Sequence, residues 1–337
     1  MAGFSYPVLV ADIGGTNCRL SLVEQAGAKP LHLARIATGS QPTPEAALEA
    51  VLATLTQRPR SAVLAVAGPL EGRGAQLTNA NWHFDGPLLG RALGLEQGLL
   101  VNDFEAQAAS LAVLGETDVT TLVAGEPEPD GPRLVLGPGT GFGAAALVRR
   151  AGRGVLVPTE CGHIGIGPED PTEAKIWPAL TAGLLAAGLP RVTVEGLLSG
   201  DGLVRFHRAV ASESGMLEAD VSAADVTTLA LDGDPAALMA VVCFWRLLAR
   251  VAGDLALAFK ATGGVYIAGG IVPRLLPLAD RPTIHAVFSG KPPMEDLAAR
   301  FALHVVTAHD GAEQGLAAIA AAPERFGLDD STRLWFG

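Results

Sequence analysis

The chain has 337 residues, 49% of them hydrophobic but only 5% aromatic, and a formal net charge of −11. This length suits about two domains, and the acidic balance excludes a general nucleic-acid or acidic-membrane binder, whose partners call for clustered Lys and Arg. The cysteines Cys18, Cys161 and Cys243 stand far apart with no CxxC pair, so neither a zinc knuckle nor a disulfide framework is expected, and a reducing cytoplasm fits. Met1 to Tyr6 shows no basic stretch followed by an apolar leader.

Val8 to Ala11 reads as a buried strand that stops at Asp12, ahead of Gly14 and Gly15. Paired glycines permit a tight turn with positive φ, and the N–H groups of Gly14 through Asn17 can close around a phosphate. Leu20, Leu22 and Val23 resume the apolar pattern, so the turn joins two antiparallel strands and does not open a helix. Neither GxGxxG before a helix nor a Gly-Lys-Ser/Thr ending is present. Asp12, at the strand end, suits a carboxylate that holds Mg²⁺ through water. Read alone, the stretch is equally a plain hairpin turn.

Leu31 to Ala37 is the third strand, and Thr43 to Gln57 a helix with Ala46, Leu48, Val51, Leu52 and Leu55 inside. Ala62 to Val66 is a further strand. Leu77 to Trp82 forms a polar cluster with one aromatic, and Pro87 to Leu93 a short helix. Leu99 to Val101 then delivers Asn102 and Asp103 to the start of a helix over Phe104 to Leu114. Asp103 reads as an N-cap, or as a proton acceptor kept ionised by the helix dipole, and the two roles are compatible.

Gly125 to Pro132, rich in Pro, Gly and acid, marks the candidate domain boundary. The strand Arg133 to Leu136 runs into the turn Gly137–Gly141 and on into a strand over Phe142 to Val148, a weak echo of the first hairpin. Two such loops can hold phosphates from opposite sides. After Val155 to Pro158 come Glu160 and His163, three apart beside Gly162. No further His or Cys stands at metal-ligand spacing, so hydroxyl recognition is the better reading. Glu195 precedes Leu197 to Gly200; helices are predicted over Thr172 to Gly188, Gly202 to Glu213 and Pro235 to Lys260. In the last, Arg246, Arg250 and Asp254 mark a polar face, which argues for a soluble helix over a membrane span. The strand Val265 to Ala268 ends at Gly269-Gly270, where a flat purine and ribose can approach the backbone, or where the chain simply turns. Gly311 to Ala322 is an Ala-rich helix that returns to the first domain.

The ordered series Asp12-Ile13-Gly14-Gly15-Thr16-Asn17, Leu77 to Trp82, Asn102-Asp103-Phe104, Gly137 to Gly143, Glu160-Cys161-Gly162-His163, Leu197 to Gly200 and Ala268 to Ile271 resembles the bacterial glucokinase family of the hexokinase and actin-like superfamily. The resemblance covers nearly the whole chain. It implies an α/β fold, the two-domain actin-like ATPase (ribonuclease H-like) fold with a cleft between the domains. Residues 1–113 plus about 308–337 would form the small domain and 114–307 the large one.

The resemblance further implies phosphorylation of the C6 hydroxyl of D-glucose by ATP with Mg²⁺, in a cytoplasmic homodimer without nucleic-acid or membrane partners. Asp103 would be the general base. Asn102, Asp103, Glu160, His163 and Glu195 would bind the sugar. Asp12, Gly14, Gly15, Thr16, Asn17, Gly137, Gly139, Thr140 and Gly141 would hold the ATP phosphates and Mg²⁺, with Gly269 and Gly270 near the adenosine. Two features depart from the family pattern: Cys161 stands where glycine is usual, and His309 to Gln314 replaces an apolar Gly-Leu-Leu-Gly-Ala segment. Neither a multi-cysteine zinc motif nor a leading helix-turn-helix is present. Another hexose or an N-acetylhexosamine as acceptor, polyphosphate or ADP as donor, and a non-catalytic sugar sensor stay open as alternatives.

Overall fold

A computed structural model describes residues 3–337 apart from 78–79, 151, 216–219 and 330. In chain order the strands are β1 (Val8–Ile13), β2 (Asn17–Val23), β3 (Leu31–Ala37), β4 (Ser61–Val66), β5 (Leu70–Glu71), β6 (Gly74–Gln76), β7 (His83–Asp85), β8 (Gln97–Asn102), β9 (Val119–Val123), β10 (Arg133–Pro138), β11 (Phe142–Arg150), β12 (Arg153–Thr159), β13 (Val265–Ile267), β14 (Leu303–Val306) and β15 (Leu334–Phe336). The helices are α1 (Pro44–Leu52), α2 (Gly86–Leu93), α3 (Asp103–Ser110), α4 (Pro171–Ala186), α5 (Val194–Leu197), α6 (Gly200–Glu213), α7 (Ala223–Leu231), α8 (Pro235–Phe259), α9 (Val272–Leu275), α10 (Arg281–Ser289), α11 (Glu295–Ala298) and α12 (Gly311–Ala321). The chain divides into two compact units, one of Met1–Asp118, Ala145–Pro158 and Ala308–Gly337, the other of Val119–Ala144 and Thr159–Thr307.

The first unit is built on a six-stranded sheet of order β15-β8-β4-β1-β2-β3. β1, β4 and β8 run parallel, while β2, β3 and β15 pair antiparallel. Every residue of β4, Ser-Ala-Val-Leu-Ala-Val, is buried, as a central strand covered on both faces requires. Leu9, Ala11 and Ile13 of β1 alternate into one core with Cys18, Leu20, Leu64, Val66 and the apolar faces of α1 and α2. On the other face, the Ser21 hydroxyl donates to Glu313 of α12 at 2.7 Å, with both residues buried. The departing segment His309–Gln314 leads into α12, which belongs to this unit.

Two helix boundaries differ from the sequence reading. α1 ends at Leu52, short of Gln57, because the Thr54 and Leu55 amides bond back three residues to Val51 and Leu52 and tighten the last turn. The cap of α3 is Asn102, with Asp103 inside the helix. The Asn102 side chain takes the Phe104 N–H at 3.0 Å, and Glu105 reaches back to the Asn102 N–H at 2.8 Å, closing a capping box. Of the Leu77–Trp82 cluster, Thr78 and Asn79 lie outside the described residues.

The second unit holds β10, β13, β14 and β9, neighbours in that order, with β10, β13 and β14 parallel. Gly125–Pro132 belongs to this unit and is no linker. The Glu126 and Glu128 amides donate to the Arg300 and Thr262 carbonyls, and a Cβ on Gly125 would collide with Ala302. The helical bulk centres on α8, which is long and apolar enough to cross a membrane but forms the core here. The residues of its polar face pair with protein groups, Arg250 buried and Asp254 at the surface. Arg250 is buried and bonds Glu173 at 2.9 Å and the Gly167 carbonyl at 2.8 Å, Arg246 pairs with Asp170 at 2.5 Å, and Lys291 reaches Asp254 at 2.6 Å.

Gly315 marks the tightest helix contact in the first unit, since a Cβ there would strike the Ala106 carbonyl of α3. Gly315→Ala is expected to lower stability by about 1–3 kcal/mol, the usual cost of overpacking. A urea midpoint equal to that of the wild type would contradict this packing.

Candidate active site

In the first unit, register brings the catalytic candidates to one edge. Asp12 aligns with Ala65 and Ala65 with Val101; Ile13 aligns with Val66 and Val66 with Asn102. The parallel strands therefore release Asp12 and Asn102-Asp103 at the same carboxyl end, where ligands gather in open α/β sheets. Gly14 and Gly15 make the intervening turn without positive φ, so their use is close backbone approach. The Gly14 N–H bonds the Asn17 carbonyl at 3.0 Å, and a Cβ on Gly14 would lie 3.3 Å from that oxygen. Thr38, which the sequence reading missed, pins the turn. Its hydroxyl donates to the Gly14 carbonyl at 2.7 Å and its amide to the Thr16 carbonyl at 3.0 Å.

Both carboxylates are half-buried and resist ionisation. Burial pushes Asp103 up to about 7, helped by the negative charge of Asp12, against the opposing hydrogen bonds of the Phe104 and Asp103 amides and the Asn102 side chain. Burial likewise lifts Asp12 to about 6; Arg19, 3.7 Å away, opposes it and Glu313 reinforces it. A proton acceptor near neutrality is what general-base work needs. As for Mg²⁺, Asp12 offers a hard oxygen whose ionised form lacks water, so a hydrated cation fits there.

In the second unit, β10 and β13 deliver two glycine turns to adjacent strand ends. A Cβ on Gly137 would strike the Ala268 carbonyl, and one on Gly269, at φ +100°, the Pro138 carbonyl. Only glycine permits this approach. Gly139 and Gly270 face open space, and the Gly139 carbonyl takes the Gly200 N–H at the start of α6 at 3.0 Å. Thr140 is exposed. From Gly200 a cavity of about 750 Å³ extends along α6, lined by Asp201, Val204, Arg205, Ser222 and Ala223 among others. A Cβ on Gly200 would lie 3.9 Å from Ile271, beside Gly270.

Glu195 joins this turn to the candidate sugar residues. It sits on α5, capped by Thr193, and its Oε2 accepts the Phe142 N–H at 2.9 Å. A Cβ on Gly141 would collide with that carboxylate, and one on Gly162 with the Phe142 carbonyl. Gly141 and Gly162 are therefore the positions that let Glu195 seat, a role that glycine content alone does not reveal. Glu160 and His163 are exposed, 3.7 Å apart. The departing Cys161 is buried between them, its thiol pushed up by burial, with its amide 3.5 Å from the Thr159 hydroxyl. Among the described residues no cluster of His, Cys, Asp and Glu forms a metal-ligand set.

The crystal structure of a glucokinase from an Antarctic psychrotroph superposes with a TM-score of 0.79 at 31% identity, covering 93% of this chain and 98% of that one. Fold and site together thus define a sugar kinase of the actin-like ATPase class. The glucokinase family model matches residues 9–323. Curated glucokinases of Sinorhizobium fredii (strain NBRC 101917 / NGR234) and Rhizobium meliloti (strain 1021) are 42% and 41% identical over 334 residues, spanning 98% of this chain and 97% of each relative. The chain belongs to the glucokinase family.

A carboxyl harder to ionise in the folded state holds its proton after the unfolded chain has lost it, so stability falls as pH rises between about 4 and 7. Asp103→Asn removes that loss. The variant is expected to match the wild type in Tm at pH 4 and to exceed it at pH 8; a lower Tm at pH 8 would contradict the desolvated state of Asp103.

Proposed function

We propose that this protein transfers the γ-phosphoryl group of ATP to the C6 hydroxyl of D-glucose, with Asp103 as general base. The observation that carries this reading is the Asp103 carboxylate itself, held at the helix start by the Asn102 cap and lifted to about 7. The ionised form accepts the hydroxyl proton as the new bond forms, a contribution of roughly 10²- to 10⁴-fold. Phosphoryl transfer otherwise asks for alignment and charge neutralisation. The turns Asp12–Asn17 and Gly137–Gly141 supply backbone N–H groups for the phosphates. Mg²⁺, held by Asp12 through water, would neutralise charge between phosphate oxygens.

Asn102, Glu160, His163 and Glu195 hydrogen-bond the remaining sugar hydroxyls in this reading. Such a site rejects analogues lacking a hydroxyl, because a buried partner is left unpaired. The cavity between α4 and α6, which begins at Gly200, suits the base and ribose in this reading. The proposal also has the two units act on one glucose across a cleft, in a cytoplasmic homodimer; what supports this is the family resemblance and the division of the site residues between the units.

A panel of hexoses offered with ATP and Mg²⁺ tests the activity, with glucose 6-phosphate and ADP as expected products. A better N-acetylhexosamine substrate, or no product at all, would overturn it. Asp103→Asn is expected to lower kcat by about 10²- to 10⁴-fold with glucose binding kept. For the wild type, kcat/KM should fall tenfold per pH unit below about 7, as the base becomes protonated. A flat profile down to pH 5 would remove Asp103 from the role.

A further inference from the structure

The hairpin that carries the first glycine turn presents an arrangement that sheet energetics disfavours. Asp12 of β1 aligns with Arg19 of β2, and Arg19 aligns with Arg35 of β3, so the three side chains form one row on one face. Like charges directly opposite in a ladder destabilise it. Arg19 has a counter-charge in Asp12 at 3.7 Å. Arg35 has none: its Nε donates to the Asn17 side-chain oxygen at 3.2 Å, and among the described residues its two terminal amino groups meet no acceptor.

β3 is an edge strand, and one charge on an edge guards against aggregation. That purpose does not require an arginine facing another arginine and tied to the turn. The Asn17 contact holds the guanidinium at the exit of Asp12–Asn17, and Thr38 fixes that turn from the same strand end. The chain carries a net charge of −11, so a polyanion needs a local attractor to approach this turn. A planar fork of N–H donors is the side chain best matched to phosphate oxygens.

We propose that Arg35 is a phosphate-binding residue for the ATP donor, oriented by Asn17 and without a counter-charge among the described residues. The inference rests on reading Asp12–Asn17 as the seat of the phosphates. Binding a phosphate supplies the anion that Arg35 lacks, while Arg19 keeps Asp12 as its counter-charge.

The test compares wild type, Arg35→Gln, Arg35→Lys and, as a control for overall charge, Arg58→Gln, whose parent residue pairs with Glu49 on the exposed side of α1. Arg35→Gln should raise the KM for ATP about tenfold, the size of one charge-assisted hydrogen bond, and leave the KM for glucose unchanged. Arg35→Lys should recover part of the loss, and Arg58→Gln should change neither constant. The dissociation constant of a non-hydrolysable ATP analogue, measured without sugar, should rise by the same factor in Arg35→Gln. An ATP KM within twofold of the wild type, a shift equal to that of Arg58→Gln, or an equal rise in both KM values would overturn the role and leave edge protection as the explanation. Should the wild type phosphorylate no hexose, the proposed activity fails, while analogue binding still decides the arginine.

Discussion

The structure depends on parallel strands of one sheet ending together. Because β1, β4 and β8 run side by side in register, whatever follows each strand arrives at the same edge. For β1 that is Asp12 and the glycine turn, and for β8 it is Asn102 and Asp103. Two carboxylates placed there share a partly dry environment: burial raises both, and the charge of Asp12 makes Asp103 harder still to ionise. Strand register sets Asp103 near Asp12, and burial there lifts its proton affinity toward neutrality before any ligand is considered. The cap supplies the remaining precision. By taking the Phe104 N–H, Asn102 fixes where α3 begins and so where Asp103 points.

The second unit repeats the device with a different emphasis. β10 and β13 also run parallel and end together, but their ends are almost all backbone. Gly137 and Gly269 pack against each other's neighbouring carbonyls, and Gly139 and Gly270 leave open space above them. Glu195 clips the Gly137–Gly141 turn to α5 by accepting the Phe142 N–H, and Gly162 packs against the same Phe142 carbonyl and Glu195.

Much of this was legible in the residues. Local apolar runs broken by glycine located β1, β2, β3, β10 and β11, and the hairpin character of Asp12–Asn17 was readable from Leu20, Leu22 and Val23. What could not be read depended on distant partners. The shortness of α1 reflects bonds from Thr54 and Leu55 that no periodicity encodes. The polar stripe of α8 looked solvent-facing because Arg250's partner, Glu173, lies 77 residues away. β15 spans only Leu334–Phe336 and exists by pairing with β8, with Trp335 filling space above Gly86, Gly90 and Gly98. Of the two properties expected of Gly14 and Gly15, positive φ is not used by either, while the missing Cβ at Gly14 leaves room for the Asn17 carbonyl. Asp103 was identified by position, whereas its proton affinity and the identity of its cap needed coordinates.

The central claim is that burial at the shared strand edge, reinforced by the charge of Asp12, holds Asp103 near neutrality without any ligand. Titration of ¹³C-labelled aspartate side chains by NMR in the ligand-free protein tests this directly, with Asp103→Asn and Asp12→Asn used for assignment. The account predicts that the Asp103 resonance titrates near pH 7, with Asp12 about one unit lower. An Asp103 midpoint near 4, the value of a solvated aspartate, would contradict it.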